Sequence, residues 1–209
     1  MMFILKRVWL CLLCTFFLLQ PLAASASLII NEIMYNPARV SDSNGEWFEV
    51  YNSGAAAIDL DGYTVTAGSY SLSIGSPLMI PTDGFVVFGR KTDSSINGGV
   101  TVDEQFYFTL SNTASETLTL TAPDSTVIDS VTYGSSLGFP VTNGASICYT
   151  GVGDDNDGTN WVSAETIGMT YGDGDYGTPG APNTATVPEP ASMLLIGTGL
   201  CGLPIRRKR

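Results

Sequence analysis

The sequence contains no histidine among its 209 residues. This absence excludes Ser-His-Asp and Cys-His catalysis, His-Glu-x-x-His zinc sites and histidine-dependent nuclease chemistry. Carboxylates are then the main candidates for catalysis, and Glu32, Glu46 and Glu49 lie in or beside the first two predicted strands. Two carboxylates are the minimum for glycoside hydrolysis. The simpler interpretation, which we favour, is that all three are solvated charges on strand faces or loops.

Positive charge is also scarce. Nine lysines and arginines face twenty acidic residues, and six of the nine lie in the first seven or the last four positions. Between Ser27 and Val187 three basic and nineteen acidic residues remain, which is a net charge of −16. Such a segment repels phosphate backbones and anionic headgroups, so nucleic-acid binding is disfavoured. Cations, neutral glycans and basic partners stay open.

Cysteine is nearly absent from the same segment, where Cys148 stands alone. A single cysteine cannot form an intramolecular disulfide. We expect a small buried side chain in a strand, which is the usual fate of a lone cysteine. An intermolecular disulfide is the less favoured alternative.

The N-terminal segment has the pattern of a secretory signal. Lys6-Arg7 precede an apolar run over 8–19, and Ala24-Ser25-Ala26 provides small residues for cleavage after Ala26. A membrane anchor is the alternative, but the run is shorter than the roughly 20 residues of an ordinary span. We therefore predict a signal peptide over 1–26, with Ala24 and Ala26 at the cleavage site.

The C-terminal segment has three parts in order. Val187-Pro188-Glu189-Pro190 comes first, an apolar stretch of 15 residues over 191–205 follows, and four basic residues over 206–209 end the chain. The stretch is short and glycine-rich for a permanent span but suits transient membrane insertion. The basic end favours a cytoplasmic C-terminus.

This tail resembles the PEP-CTERM sorting signal of Gram-negative bacteria. The resemblance implies that exosortase, a membrane transpeptidase, recognises Pro188, Glu189 and Pro190. It also implies cleavage near this motif and transfer to the cell surface or an exopolysaccharide matrix. A tail anchor that stays in the inner membrane is the alternative.

The region between the two signals has the pattern of an all-β domain. Apolar residues alternate with threonine over 117–121, which places Leu118 and Leu120 inward. The turn at 122–125 predicts a hairpin with the apolar run that follows. Asn-Gly pairs mark further turns, and no stretch of ten residues has a convincing amphipathic helical pattern. We predict a β-sandwich.

Several motifs in this region resemble the lamin tail domain, which implies an immunoglobulin-like β-sandwich. They are the opening run over 28–37, the Gly-Glu-Trp-Phe-Glu-Val-Tyr-Asn run over 45–52, the run over 58–65 and the closing Gly-Thr-Pro-Gly-Ala-Pro-Asn run over 177–183. The predicted domains are the signal peptide at 1–26, the sandwich at 27–184, and the linker and sorting tail at 185–209. The stretch from Gly68 to Gln105 departs from the pattern and suggests an insertion.

Two acidic loops carry oxygen-bearing side chains at short spacing. The first is Asp154-Asp155-Asn156-Asp157-Gly158 and the second is Asp173-Gly174-Asp175. Calcium prefers six to eight oxygen ligands. One interpretation is therefore a calcium site formed by Asp154, Asn156, Asp157, Asp173 and Asp175, and the other is a pair of acidic surface turns. The spacing does not match an EF-hand loop.

These observations favour a non-enzymatic surface or matrix protein that needs no cofactor. Its expected partners are exosortase and either exopolysaccharide or envelope proteins, and Tyr171 and Tyr176 are candidate sugar contacts. A polysaccharide hydrolase and a tail-anchored periplasmic interaction domain are the alternatives. A concave site with two carboxylates within about 10 Å of each other would favour the hydrolase.

Overall fold

The computed structural model describes residues 28–184, so the predicted signal peptide and sorting tail lie outside the described residues. The strands in chain order are β1 Leu28–Met34, β2 Trp47–Asn52, β3 Ile58–Asp59, β4 Thr64–Ala67, β5 Tyr70–Ser73, β6 Met79–Ile80, β7 Phe85–Gly89, β8 Glu104–Gln105, β9 Glu116–Thr121, β10 Val127–Tyr133, β11 Ile147–Tyr149, β12 Trp161–Ser163, β13 Thr170–Tyr171 and β14 Asp175–Tyr176. Two four-residue helices are α1 Asp42–Gly45 and α2 Ala164–Ile167. Within residues 28–184 no helix has the length and apolar character needed to cross a membrane.

The strands form two main sheets, which confirms the predicted β-sandwich. The larger sheet has the order β12-β11-β1-β2-β7-β8 and the smaller has the order β10-β9-β4-β5. Neighbouring strands are antiparallel except for β7 and β8. Strand β7 comes from the stretch between Gly68 and Gln105 and lies inside the larger sheet. That stretch is therefore an integral part of the sandwich rather than an insertion.

The main core lies between the two sheets. Leu118 and Leu120 are fully buried there, as the alternation with threonine predicted. Phe48 stacks on Phe88 at a ring distance of 4.7 Å. Its neighbour Trp47 points to the opposite face, as expected for consecutive strand residues, and joins a second cluster with Met34, Val87 and Val100. The larger sheet is thus covered on both faces.

The hairpin predicted around residues 122–125 is also confirmed. Strands β9 and β10 pair directly, and the Ala122 amide donates to the Thr126 carbonyl across the turn. Asp59 caps backbone groups, as expected for aspartate at a turn, because its Oδ1 accepts from the amides of Asp61 and Leu78.

A β-bulge interrupts β1 at Asn31. Ile30 pairs with Val50 and Glu32 pairs with Glu49, so Asn31 is the additional residue. A bulge places two residues of one strand opposite one residue of its neighbour and redirects a side chain. The Ile30 amide donates instead to Asp129 Oδ2 on β10, at 2.6 Å. One carboxylate therefore connects the bulge to the opposite sheet.

Candidate functional site

Two buried glutamates lie side by side on the outer face of the larger sheet. Glu32 on β1 and Glu49 on β2 are register partners, and neither side chain is exposed. The expectation that these carboxylates are solvated is therefore wrong. The reason is tertiary: a distant segment of the chain covers them and provides hydrogen-bond donors, which a buried carboxylate requires.

That segment is residues 177–183, which we call the C-terminal strap. Glu32 Oε1 accepts from the Thr178 amide at 2.8 Å, and Glu32 Oε2 accepts from Thr178 Oγ1 at 2.7 Å. Ser146 Oγ also donates to Glu32 Oε1, at 2.5 Å. The Gly180 amide donates to Glu49 Oε2. The two glutamates thus hold the strap on the two central strands.

Asn183 fixes the far end of the C-terminal strap. Its Nδ2 donates to the backbone carbonyl of Asn31 at 2.7 Å and to that of Tyr149 at 3.2 Å. Its Oδ1 accepts from Thr178 Oγ1 at 2.9 Å. The side chain therefore connects the strap to the bulge and to β11.

The buried pair strongly favours the neutral form of its carboxyls. Burial raises the pKa of Glu32 above its ordinary value, against the effect of its hydrogen bonds. Burial, and then the charge of Glu32, raises the pKa of Glu49 to about 9. Cys148 is the register partner of Glu32 on β11 and is fully buried, as predicted. Burial also raises the pKa of its thiol, so the thiolate needed for disulfide exchange is disfavoured.

Glu46 is buried separately, just before β2. Its Oε2 accepts from the Leu110 amide at 3.1 Å and lies 3.5 Å from Arg90 Nη1. Burial outweighs these contacts and raises the pKa of Glu46 to about 8. The expectation of a solvated charge is wrong here as well, because Glu46 ties the β8–β9 connection to the sheet.

Beside the buried pair, the outer face opens into a groove of about 450 Å³. That volume lies within the roughly 300–1,000 Å³ typical of small-molecule sites. Tyr51 and Phe85, on adjacent strands, stack with ring centroids 4.9 Å apart. The apolar lining also includes Ile29, Tyr149 and Pro182. The strap therefore forms one wall and the sheet forms the floor.

One edge of the groove carries a carboxylate in a defined position. Tyr51 Oη donates to Asp83 Oδ1 at 3.0 Å. Asp83 has a φ of 54°, an uncommon left-handed conformation that aspartate tolerates better than most residues. Asn52 holds this turn, because its carbonyl accepts from the Asp83 amide and its side chain donates to the Pro81 carbonyl. The buried glutamates are not part of the lining, so among residues 28–184 Asp83 is the one carboxylate that lines the groove.

Two buried oxygens on this sheet face have no hydrogen-bond donor assigned to them, Asn31 Oδ1 in the groove lining and Glu49 Oε1 beside it. The Asn31 side chain nevertheless interacts with the Glu49 carboxyl and lowers its pKa against the effect of burial. Because a protonated Glu49 can donate to Asn31, the two side chains form a local pair at the bulge.

The predicted calcium ligands mostly make local hydrogen bonds. Asp154 Oδ1 accepts from the Asn156 amide, and Asp157 Oδ1 accepts from Thr159. The Thr132 amide donates to Asn156 Oδ1, and Asn156 Nδ2 donates to the Ser130 carbonyl. These two hydrogen bonds connect the first acidic loop to β10.

In the second acidic loop, Asp175 is buried, and its Oδ2 accepts from the amides of Ala38 and Arg39. Asp173 is exposed. Residues 28–184 contain no group of three or more Asp, Glu, Cys or His side chains arranged to hold a metal ion. The calcium site stays a prediction.

The two tyrosines predicted as sugar contacts are not a free aromatic surface. Tyr171 packs edge-on against Trp47 at 5.7 Å and accepts a hydrogen bond from Trp47 Nε1. Tyr176 is half-buried in β14. Tyr171 packs on the second apolar cluster, and both tyrosines are half-buried, as are Tyr51 and Phe85. Their role as sugar contacts stays a prediction.

Sequence reasoning missed these groove residues. The motif over 45–52 includes Tyr51 without indicating a binding role, and no motif singles out Asp83. The available signal was the aromatic residue at one end of each strand run, at Tyr51 in β2 and at Phe85 in β7. Their adjacency depends on strand order, which the sequence pattern alone did not provide.

The fold and the groove define an immunoglobulin-like β-sandwich with a groove on the outer face of its larger sheet. The Lamin Tail Domain family model matches residues 21–135, more than half of the chain, and the chain belongs to this family. Strands β11 and β12 lie beyond the matched range, yet they belong to the same sheet, where β11 pairs with β1 and β12 pairs with β11. A search of curated proteins gives no match.

A second family model, the PEP-CTERM protein-sorting motif, matches residues 186–209. The chain thus carries the signal for exosortase-dependent export and cell-surface sorting in Gram-negative bacteria. Both predicted resemblances are confirmed. The signal peptide at 1–26 stays a prediction.

Proposed function

We propose that this protein is a non-catalytic binding module of the bacterial cell surface or its matrix, where it associates with exopolysaccharide. The sorting motif supports the location. The groove on the outer sheet face supports binding. Neither the net charge of −16 between Ser27 and Val187 nor the groove lining suits a nucleic acid.

The number of carboxylates in the groove distinguishes a binding module from a hydrolase. Glycoside hydrolysis requires two carboxyl groups on either side of the scissile bond. Among residues 28–184, Asp83 lines the groove without a second Asp or Glu, while Glu32, Glu46 and Glu49 are buried among protein donors. The groove therefore lacks the carboxyl pair of a glycosidase within the described residues, and its aromatic rings and few polar groups suit ligand binding.

Intact mass and cell fractionation in the native host test the location. We expect a product that begins at Ser27, ends near Pro190 and co-fractionates with the extracellular matrix. Replacement of Glu189 by alanine should leave the tail attached and retain the product in the inner membrane. If the wild-type product still ends at Arg209 in the inner membrane, the protein is a tail-anchored periplasmic domain and the proposal is overturned.

Matrix association is tested on the same material. Extracted host exopolysaccharide should co-sediment with the processed protein, and its chain length should stay constant during incubation. Shortening of the polysaccharide would favour a hydrolase. Co-sedimentation that survives removal of the polysaccharide would favour an envelope protein as the partner.

A further inference from the structure

The described lining of the groove has negative charge but no positive charge. Among residues 28–184 it contains no lysine or arginine, whereas Asp83 provides a carboxylate, Asn31 an amide oxygen, and Ser53, Thr150 and Thr184 hydroxyl groups. Asn183 also lines it, but its Nδ2 already donates to two backbone carbonyls. A fitting ligand therefore provides hydroxyl or ammonium groups that can bond to these oxygens and brings no negative charge.

The apolar part of the groove is formed by aromatic rings. Tyr51 and Phe85, on neighbouring strands, stack on each other with centroids 4.9 Å apart, and both are half-buried and line the groove. Tyr149 adds a third ring on β11 and packs against Trp161 at 5.5 Å. Such rings bind the apolar C–H face of a sugar, while polar groups at the edge bind its hydroxyls.

Charge complementarity decides between classes of glycan. The segment from Ser27 to Val187 has a net charge of −16, and Asp83 adds a carboxylate at the groove itself. A uronate, sulfate or phosphate group would meet a carboxylate there without a compensating cation. An amino group would pair with Asp83.

We infer that this groove binds a segment of non-anionic glycan, with its sugar faces on Tyr51 and Phe85 and a hydroxyl or amino group on Asp83. The inference rests on the proposed function and names the ligand class of the same site. Asn31 and the C-terminal strap complete the groove, so a bound glycan contacts both the central strands and the strap.

Calorimetric titration of the full chain, purified in mild detergent, tests the inference with three probes. They are cello-oligosaccharide, which is neutral, chitosan oligosaccharide, which bears amino groups, and oligogalacturonate, which is anionic. We expect binding of the neutral and amino-bearing probes and none of the uronate. Fluorescence of Trp161, which packs on Tyr149, should change on binding.

Matched variants locate the binding. Tyr51→Ala should weaken binding of the neutral probe about tenfold, which corresponds to roughly 1.4 kcal/mol. Tyr107→Ala removes a tyrosine that is 78% exposed and outside the groove, and it should have no effect.

Because chitosan also binds acidic surfaces non-specifically, Asp83→Asn is compared with Asp61→Asn, which removes the same charge elsewhere. Only Asp83→Asn should lower the preference for the amino-bearing probe. Melting curves confirm that each variant is folded.

Three results would overturn the inference. They are tightest binding of the uronate, no binding of any probe, and equal effects of Tyr51→Ala and Tyr107→Ala. In each case, co-sedimentation of the native protein with the matrix still tests the proposed function, independently of binding in the groove. A protein that co-sediments but binds no probe refutes the groove assignment alone.

Discussion

Glu32 and Glu49 lie directly opposite each other on β1 and β2, both fully buried, beneath the C-terminal strap. Like charges at such a position are destabilising, so the pair favours at least one neutral carboxyl. Thr178 and Gly180, near the end of the described residues, donate to Glu32 and Glu49 respectively. The pair therefore joins the C-terminal strap to the centre of the larger sheet.

The first prediction concerns the pH dependence of stability. The pKa of Glu49 is about 9 in the folded protein, above its ordinary value of 4.5, so the folded state binds the proton more tightly than the unfolded state. This contribution is fully present below about pH 4.5 and is lost as the pH rises through about 9. We expect the melting temperature to fall between pH 5 and pH 9.

Glu49→Gln should flatten this dependence, since glutamine keeps an acceptor for the Gly180 amide but does not titrate. The decrease in melting temperature should shrink by several degrees, at about 2–4 °C per kcal/mol for a chain of this size. Glu165→Gln, at an exposed position in α2, is the matched control and should retain the wild-type slope. Equal slopes for the two variants would refute the assignment.

A second prediction tests the C-terminal strap. Thr178→Val keeps the shape of the side chain but removes the donor to Glu32 Oε2 and the contact with Asn183. Leaving a buried acceptor unsatisfied costs about 1–3 kcal/mol, which urea denaturation should detect. Amide exchange of Gly180 should also accelerate. Thr101→Val, at an exposed position, should change neither quantity. Unchanged exchange at Gly180 would show that the strap does not depend on this contact.

The sandwich itself could be predicted from the sequence because its signals are local. Alternation over 117–121 and the turn after it specify β9 and β10 without knowledge of distant residues. The same reasoning placed Trp47 and Phe48 on opposite faces. These features depend on neighbours within a few positions, which a sequence displays directly.

The burial of these carboxylates could not be predicted, because the hydrogen-bond donors that stabilise them are distant in sequence. Thr178 lies 146 positions from Glu32, and Gly180 lies 131 positions from Glu49. The bulge at Asn31 is also invisible to a strict period of two, which assigns Asn31 and Glu32 to opposite faces. The groove depends on both features, so its residues became apparent only with the strand order.

A third prediction concerns calcium. One carboxylate oxygen of Asp157 and one of Asp175 accept backbone amides, and residues 28–184 contain no group of three or more Asp, Glu, Cys or His side chains arranged to hold a metal ion. We therefore expect the same melting temperature in excess calcium and in excess chelator. A rise in calcium that disappears on Asp154→Asn would instead establish a site at the first acidic loop.

The last prediction tests the link between the two sheets. Asp129 Oδ2, on β10 of the smaller sheet, accepts from the Ile30 amide next to the bulge in β1. Asp129→Ala leaves this amide unsatisfied inside the sandwich, so we expect a loss of about 1–3 kcal/mol in the free energy of unfolding. Asp129→Asn retains an oxygen acceptor and should recover most of the loss.

Asp61→Ala provides the matched control for Asp129→Ala, because Asp61 is exposed on a turn. Exposed substitutions of this kind usually change stability by less than about 0.5 kcal/mol. Amide exchange at Ile30 distinguishes the mechanism from a general loss of charge, since only Asp129→Ala should accelerate it relative to Asp129→Asn. If alanine and asparagine at this position are equally destabilising, the negative charge rather than the hydrogen bond to Ile30 connects the sheets. In that case the interaction between Asp129 and Asp155 should be disrupted next. Burial, and then the nearby charge of Asp129, raises the pKa of Asp155 to about 6.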